Sequence, residues 1–550
     1  MAKLPLKSIL RGVLFTLSVS LLPSALATSG TWSGGGGDDN WSTSGNWVGS
    51  VPGANSTDVA TFNTALPASG KGGAAEPILT SSIVSGGIHS ILFDTSAVGA
   101  YVFGTTGSIM NIRGNAGSIT MNSAVNNTQT FDAAIKLVNG NSNISTTLTN
   151  NAESSSAVML FNGGIQTAAS TACTTTITLG GSNTGANTIS GLSNAAGYSG
   201  KGFFMNKIDA GTWIISGANS MSDTATGTTS TYVNTTISAG TLQFASRVSL
   251  YNARQAVWTS ANIDVKSGAT MAFNVGGTGE FTSDDIGKLS ALGSATNGFE
   301  NGAKLGLDTS NAAGGKFTYS NTIANTNGGS NVIGLVKLGS NSLELTGANT
   351  YGGGTTVSGG TLVVNNATGS ATGTGNVQVN VGAVLSGAGT IAGAVTIDGS
   401  LCPGNSIGKL TVQNDVTWNG GNDWVFELGT SASTLVQAQS GASIEDFLDI
   451  TGASSDFLKG TGSSWTFDFA GTGDEGWYKL AEWDGVTTFD ASDFTVSDLA
   501  SGLSGSFTIQ DNNLYLYVTA VPEPSTSGLI MSALAVSIVT VIRRHRRSWA

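Results

Sequence analysis

Short alternating pairs of apolar residues recur along much of this 550-residue chain. The clearest pairs are Leu343 with Leu345, Leu362 with Val364, Val377 with Val379, Val395 with Ile397, and Leu410 with Val412. Alternation with a period of two predicts β-strands that bury one face. Glycine clusters between the pairs, such as residues 352–354 and 387–393, supply tight turns. The pattern therefore predicts many short strands joined by short turns.

Stacked coil on coil, such strands form a parallel β-solenoid in which each coil covers the apolar side chains of the previous one. Two packed sheets, as in a β-sandwich, are the alternative that alternation leaves open. We predict an all-β parallel β-helix or β-solenoid over residues 28–200 and 201–418. Longer and more aromatic strands predict a β-rich capping domain at 419–520, which would cover the open end of the stack.

Two segments share one sequence pattern, from Lys207 to Leu242 and from Lys337 to Leu362. The residues that carry it are Gly211, Gly217, Asn219, Gly240, Thr241 and Leu242 in the first segment, and Leu343, Leu345, Gly347, Asn349, Tyr351, Gly360, Thr361 and Leu362 in the second. The pattern resembles the autotransporter-associated β-strand repeat. The second copy follows it nearly throughout, whereas in the first a Ser/Thr-rich insertion at 220–234 replaces part of it.

A Trp/Gly-rich module opens the 28–200 region. It contains Trp32, Trp41 and Trp47, followed by Asp58 and Phe62. We expect these aromatic residues to cap the first coil; a stacking platform for sugar rings is the alternative.

The C-terminal segment 521–550 combines three features in a fixed order. Val521, Pro522, Glu523, Pro524 and Ser525 form an extended proline motif, the apolar run 528–542 follows, and Arg543, Arg544, Arg546 and Arg547 end it. This layout resembles the PEP-CTERM sorting signal of Gram-negative bacteria. The resemblance implies a single hydrophobic helix, handling by an exosortase-type membrane enzyme near the Pro-Glu-Pro motif, and linkage to exopolysaccharide or other matrix components. An ordinary tail anchor without processing is the alternative, because arginines after an apolar run stay cytoplasmic.

The N-terminus predicts export. Basic Lys3, Lys7 and Arg11 precede an apolar core, and Ala25 and Ala27 provide the small residues of a signal-peptidase site, which gives a signal peptide at 1–27. Removing both terminal segments changes the formal charge from −12 to −18, with 15 basic against 33 acidic residues. Such an acidic body is not expected to bind nucleic acid.

Few residues in the chain suit catalysis. A catalytic triad would depend on His89, since the other histidine, His545, lies in the terminal tail. Cys173 and Cys402 could be bridged or be two separate thiols. Carboxylate groups occur at Asp38 with Asp39, Asp284 with Asp285, and Glu445 and Asp446 with Asp449. We interpret them as loop carboxylates, although parallel β-helices can also carry polysaccharide lyases or hydrolases that use such groups.

We therefore predict an exported, non-enzymatic structural or adhesive protein of the cell surface or extracellular matrix, with no catalytic residues, metal or cofactor. Its membrane contact, transient or permanent, would be through the C-terminal helix. The alternatives are a polysaccharide-active enzyme or a carbohydrate-binding module on the same scaffold. Convergent carboxylates with a Lys or Arg in one groove favour the enzyme, polar Thr/Ser/Asn ladders favour the structural role, and a row of exposed aromatic residues favours the module.

Overall fold

The computed structural model describes residues 29–53, 57–67, 72–80, 87–140, 142–169, 173–195, 201–221 and 233–521. In these ranges the chain winds through successive coils whose strands pair in parallel with those of the coils before and after, except at the two ends of the stack. The predicted all-β architecture with parallel sheets, as in a β-solenoid, is confirmed. The signal peptide, the sorting motif and the C-terminal hydrophobic helix lie outside the described residues.

One long parallel sheet, here called the spine sheet, connects coils from residue 102 to residue 459. Its strands, in spatial order, are Val102–Phe103, Gln129–Phe131, Met159–Phe161, Asn187–Ile189, Thr212–Ile215, Thr241–Phe244, Thr270–Asn274, Lys304–Asp308, Gly334–Leu338, Thr355–Val357, Val377–Val379, Val395–Ile397, Val416–Trp418 and Phe457–Lys459.

The flank sheet forms the second face of the N-terminal coils, and a short third sheet closes them. The flank strands are Trp47–Gly49, Gly30–Trp32, Val59–Phe62, Ser90–Phe93, Asn115–Met121, Ile144–Asn150, Thr174–Gly180, Gly202–Lys207, Val233–Ile237, Ile263–Val265 and Gly298–Phe299. The third sheet contains Ile109–Arg113, Ala134–Val138, Ile165–Thr167 and Leu192–Asn194.

Three other sheets complete the C-terminal coils. Beside the spine lie Lys316–Tyr319, Ser342–Leu345, Gly360–Val364, Ala383–Gly387 and Ser400–Pro403. The cap sheet contains Thr390–Ile391, Lys409–Val412, Phe447–Ile450, Gly476–Trp483, Asn513–Ala520 and Leu503–Gln510, and a smaller sheet contains Trp424–Val425, Trp465–Thr472 and Phe494–Leu499. The last two cap strands pair antiparallel, so the parallel stack ends there.

Inward side chains of neighbouring coils lie directly over one another. Phe131 of the spine sheet stacks on Phe103 and on Phe161, with ring centroids 4.8 Å apart in both pairs. Leu305 pairs with Leu335 in the same way, and both are buried. The alternating pairs of the sequence thus form one continuous apolar column along the solenoid, which stabilises each coil through its neighbours.

The two ends of the column are covered differently. At the N-terminal end Trp32, Trp41 and Trp47 are buried, and Trp41 and Trp47 meet edge to face at 4.6 Å. These indoles cap the first coil, as expected, and are not exposed for stacking on sugars. Towards the C-terminus the spine sheet crosses residue 419 without a break, since Val416 pairs with Val395 and with Phe457. The domain boundary predicted at that position therefore has no counterpart in the spine sheet.

Helices are short in the described part of the chain. The α-helices are Ser283–Ser290 and Leu435–Gln439, and the 3-10 helices are Ser44–Asn46, Arg247–Ser249, Tyr251–Ala253, Gln255–Val257, Ala313–Gly315, Asn327–Gly329 and Ala491–Asp493. Within the described ranges, none of them has the length and apolar character needed to cross a membrane.

Candidate functional site

The repeat motif forms a corner of the solenoid that is fastened by a buried lysine. Lys207 is fully buried, and its ammonium group donates to the carbonyl oxygens of Ile208, of Asp209 at 2.7 Å and of Ala239 at 3.1 Å. The last of these acceptors belongs to the corresponding corner of the next coil. One side chain therefore ties two consecutive corners together.

Lys337 repeats this arrangement in the second copy. Its ammonium group donates to the carbonyl oxygens of Leu338 at 2.8 Å, Gly339 at 2.9 Å and Gly359 at 3.0 Å. In both copies burial lowers the pKa of the lysine to about 8, while Asp209 beside Lys207 and Asp308 beside Lys337 act in the opposite direction. The ammonium forms therefore predominate at neutral pH and make charge-assisted hydrogen bonds, which are stronger than neutral ones.

Both lysines stand at the start of the repeat pattern, but their role as corner fasteners was not predicted. The available signal was position: in the strand Gly334–Leu338, Lys337 lies two residues after the buried Leu335 and therefore faces inward. A charged residue at an inward position of an alternating strand indicates a buried group that must have partners.

Two glycine positions of the motif allow neighbouring corners to approach closely. Gly240 and Gly360 follow the carbonyls that the lysines bind and have φ of 65° and 60°. A Cβ atom at Gly360 would lie 2.6 Å from the carbonyl oxygens of Asn341 and Gly339. At the other shared position, a Cβ atom would lie 1.7 Å from the carbonyl oxygen of Ser190 if added to Gly217, and 2.6 Å from that of Asn321 if added to Gly347.

A buried asparagine links the coils on either side of the second copy. Asn349 accepts a hydrogen bond from the Ile323 backbone N–H at 2.7 Å and donates to the carbonyl oxygen of Ala371. The Tyr351 hydroxyl shares a 2.6 Å hydrogen bond with Thr355. In the first copy, the backbone N–H of the buried Asn219 donates to the carbonyl oxygen of Val248.

The other motif residues serve packing. Leu242, Leu343, Leu345 and Leu362 are fully buried in the apolar column, Thr241 and Thr361 are half-buried on its strands, and a Cβ atom on Gly211 would lie 2.6 Å from the Gly181 carbonyl oxygen. These predicted positions explain the architecture of the two corners.

The flank sheet displays a regular polar surface. Its outer row, here called the polar ladder, places side chains of successive coils in register and consists of Ser90, Ser118, Thr147, Thr178, Asn206 and Thr236. All six are half-buried by their neighbours in the sheet. Strands in a sheet are about 4.8 Å apart, so the ladder repeats a hydroxyl or amide at that spacing.

Two of the three predicted clusters of carboxylates stabilise the local backbone structure around them. Asp38 accepts from the Asn40 backbone N–H at 3.0 Å and from the Thr43 hydroxyl at 2.9 Å, which orders the opening loop. Asp285 is buried, caps the helix Ser283–Ser290 through Thr282, and lies 2.7 Å from the Arg247 guanidinium. Their immediate neighbours, Asp39 and Asp284, lie in the same loop and helical turn.

The third carboxylate group lies beside the cap sheet. Asp446 accepts from the backbone N–H groups of Gly408 at 2.9 Å and Glu427 at 2.8 Å, while burial raises its pKa to about 7. Asp449 pairs with Lys409 at 2.8 Å. Glu445 lines a cleft on this sheet together with Lys409, the partner of Asp449.

The remaining candidates are separate from one another. His89 is half-buried directly before the strand Ser90–Phe93, and no disulfide bond joins Cys173 to Cys402. Burial raises the pKa of Cys402 to about 11, which suppresses its thiolate form. Over the described residues, no group of three or more His, Cys, Asp or Glu side chains is placed to hold a metal ion.

The passenger-associated-transport-repeat family model matches residues 205–244 and 335–364. These ranges contain both lysine-fastened corners, so the predicted autotransporter-associated repeat is confirmed. Repeats of this type occur in autotransporter passengers and indicate an exported surface protein. No curated protein matches the chain.

Proposed function

We propose that this protein is a non-enzymatic structural or adhesive component of the cell surface or extracellular matrix, and that the surface of the solenoid binds the partner. The observation that carries the proposal is the polar ladder of the flank sheet. A row of uncharged hydroxyl and amide groups at a regular spacing suits hydrogen bonding to a polymer that presents hydroxyl groups along its own length. The proposed partner is exopolysaccharide or another matrix polymer.

Isosteric substitutions test the ladder directly. Thr147, Thr178 and Thr236 are replaced together by valine, which removes three hydroxyls and keeps the β-branched shape that strands favour. The matched control replaces Thr356, Thr396 and Thr417, which lie in one row of the spine sheet with Gln378 between the first two. Cosedimentation with exopolysaccharide of the native host should weaken for the ladder variant and not for the control. If both variants cosediment with exopolysaccharide as strongly as the wild-type protein does, the proposal is wrong.

Delivery is the second part of the proposal. The tail from Val521 to the arginines ending at Arg547 would act as the sorting signal, read by an exosortase-type enzyme after export. Support comes from the sequence layout and from the exported character of the repeats. Intact mass and C-terminal peptide mapping of protein from culture supernatant and membranes test it. Loss of everything after the Pro522 region supports sorting; an intact tail found only in the inner membrane supports a plain tail anchor.

A polysaccharide-active enzyme is the alternative proposal, and the feature that favours it is the cleft beside Glu445. Release of reducing ends from host exopolysaccharide by the purified chain, and its loss on Glu445→Ala, would replace the structural role by an enzymatic one.

A further inference from the structure

A cleft of about 330 Å³ opens on the cap sheet beside the strands Lys409–Val412, Phe447–Ile450 and Gly476–Trp483. Its wall includes Lys409, Ile444, Glu445, Phe447, Lys479 and Glu482. The strand pairing brings these residues together, since Lys409 pairs with Phe447 and Asp449 pairs with Glu482. Three successive coils therefore contribute to one concave surface that is separate from the polar ladder.

Glu445 is the polar centre of this cleft. The residue is only 9% exposed, and its Oε1 accepts from the Ser443 hydroxyl and from the Lys479 backbone N–H, both at 2.9 Å. The other carboxyl oxygen, Oε2, is buried and has no hydrogen-bond partner among the described residues. Buried polar atoms in folded proteins are nearly always satisfied, so the unpaired Oε2 distinguishes Glu445 from the other residues of the cleft wall.

The charges around Glu445 compensate one another. Lys479 lies 2.5 Å from Glu482, and Lys409 lies 2.8 Å from Asp449. Burial raises the pKa of Glu445 to about 7, so a substantial part of its population is neutral near physiological pH. The cleft thus offers several hydrogen-bond donors and acceptors but little net charge, which favours a neutral polar ligand over an ion.

An apolar patch completes the cleft. Ile444 is 54% exposed, although large aliphatic side chains of folded proteins are usually buried. Phe447, three residues later in the chain, also lines the cleft. The Lys479 ammonium lies 5.3 Å from the centroid of the Phe447 ring. A largely apolar surface with a few convergent polar groups is the usual composition of a small-molecule site.

We propose that this cleft binds one pyranose unit of a neutral polysaccharide. The apolar face of the sugar ring would lie against Ile444 and Phe447, and hydroxyl groups would meet the Lys409 ammonium and the Glu482 carboxylate on the cleft wall. The site goes beyond the proposed role of the solenoid face: it recognises a single sugar unit and needs neither the ladder nor the sorting signal.

Saturation-transfer NMR on the purified full chain tests the site with methyl pyranosides of glucose, galactose, mannose and N-acetylglucosamine as probes. Ile444→Ser removes the apolar patch at an exposed position, and Val436→Ser is the matched control, because Val436 is 73% exposed and does not line the cleft. Glu445→Ala tests the polar centre.

Wild type and Val436→Ser should transfer saturation to the ring protons of at least one pyranoside, and both Ile444→Ser and Glu445→Ala should reduce the affinity about tenfold or more. Absence of transfer to all four probes in wild type overturns the proposal, as does an Ile444→Ser protein that binds like Val436→Ser. The triple valine variant of the ladder should bind the pyranosides like wild type, so the two proposals can fail separately.

Discussion

Replacing Lys337 by methionine should measure what the corner lysine contributes to the solenoid. The substitution keeps an unbranched apolar stem and removes an ammonium group that donates to the carbonyl oxygens of Leu338, Gly339 and Gly359. Because Gly359 belongs to the next corner, the loss should loosen the contact between two coils as well as the corner itself.

The expected loss of stability is the difference between two opposing contributions to the free energy of unfolding. Hydrogen bonds from a charged group contribute about 1.5–3 kcal/mol each, or about 4–9 kcal/mol for three. Burying the ammonium costs about 3.5 kcal/mol, since its pKa falls from 10.5 to about 8 and each pKa unit corresponds to about 1.4 kcal/mol. The difference predicts a net destabilisation of about 1–5 kcal/mol for Lys337→Met.

Hydrogen exchange measured by mass spectrometry is the suitable assay, because a solenoid opens locally and need not unfold as one unit. Peptides covering residues 337–362 should lose protection, while peptides from the coils around residue 130 should exchange as in wild type. Lys316→Met is the control: Lys316 has a 51% exposed side chain, and its surface ion pair with Glu344 is expected to contribute less than about 1 kcal/mol. If both variants lose protection equally, the corner lysine contributes no more to stability than a surface lysine, and the reasoning is wrong.

The remaining predictions concern the first repeat, a motif glycine and the cleft. Lys207→Met should reduce the protection of residues 207–221 and 233–240, as Lys337→Met does in the second repeat, and unchanged exchange there would show that the two corners are not equivalent. Gly360→Ala should destabilise by about 2 kcal/mol or more in urea denaturation, because it combines a positive φ with a 2.6 Å contact to backbone oxygens. Gly382→Ala, with φ of 78° and no heavy atom within 4 Å of the added Cβ, should show only the backbone cost of about 1 kcal/mol, and equal losses would refute the contact argument. Burial raises the pKa of Glu445 from 4.5 to about 7, so the folded state holds more protons than the unfolded state between these values and stability falls as pH rises through them. Glu445→Gln should therefore lose less thermal stability than wild type between pH 5 and pH 8. Identical pH slopes of the two proteins would contradict this.

The apolar column could be predicted from sequence because alternation is a local property. Leu343 and Leu345 face inward whatever coil precedes them. The sheet to which a strand belongs could not be predicted, since it depends on how many residues each coil contains. The cleft could not be predicted from the sequence either. Lys409, Phe447 and Lys479 are far apart in the chain and meet only because the strands of three coils pair in parallel.

The two copies of the motif show that it specifies a corner and not a face. Lys207 ends a strand of the flank sheet and leads into the spine sheet, whereas Lys337 lies in the spine sheet and leads into the strand Ser342–Leu345 of another sheet. In the first copy the lysine reaches a carbonyl 32 residues further on, and in the second a carbonyl only 22 residues further on. The same fastening thus closes coils of different length, because it needs only two consecutive corners in contact. That independence explains how the first copy can carry its Ser/Thr-rich insertion at 220–234 and still keep the lysine-to-carbonyl contacts of the second.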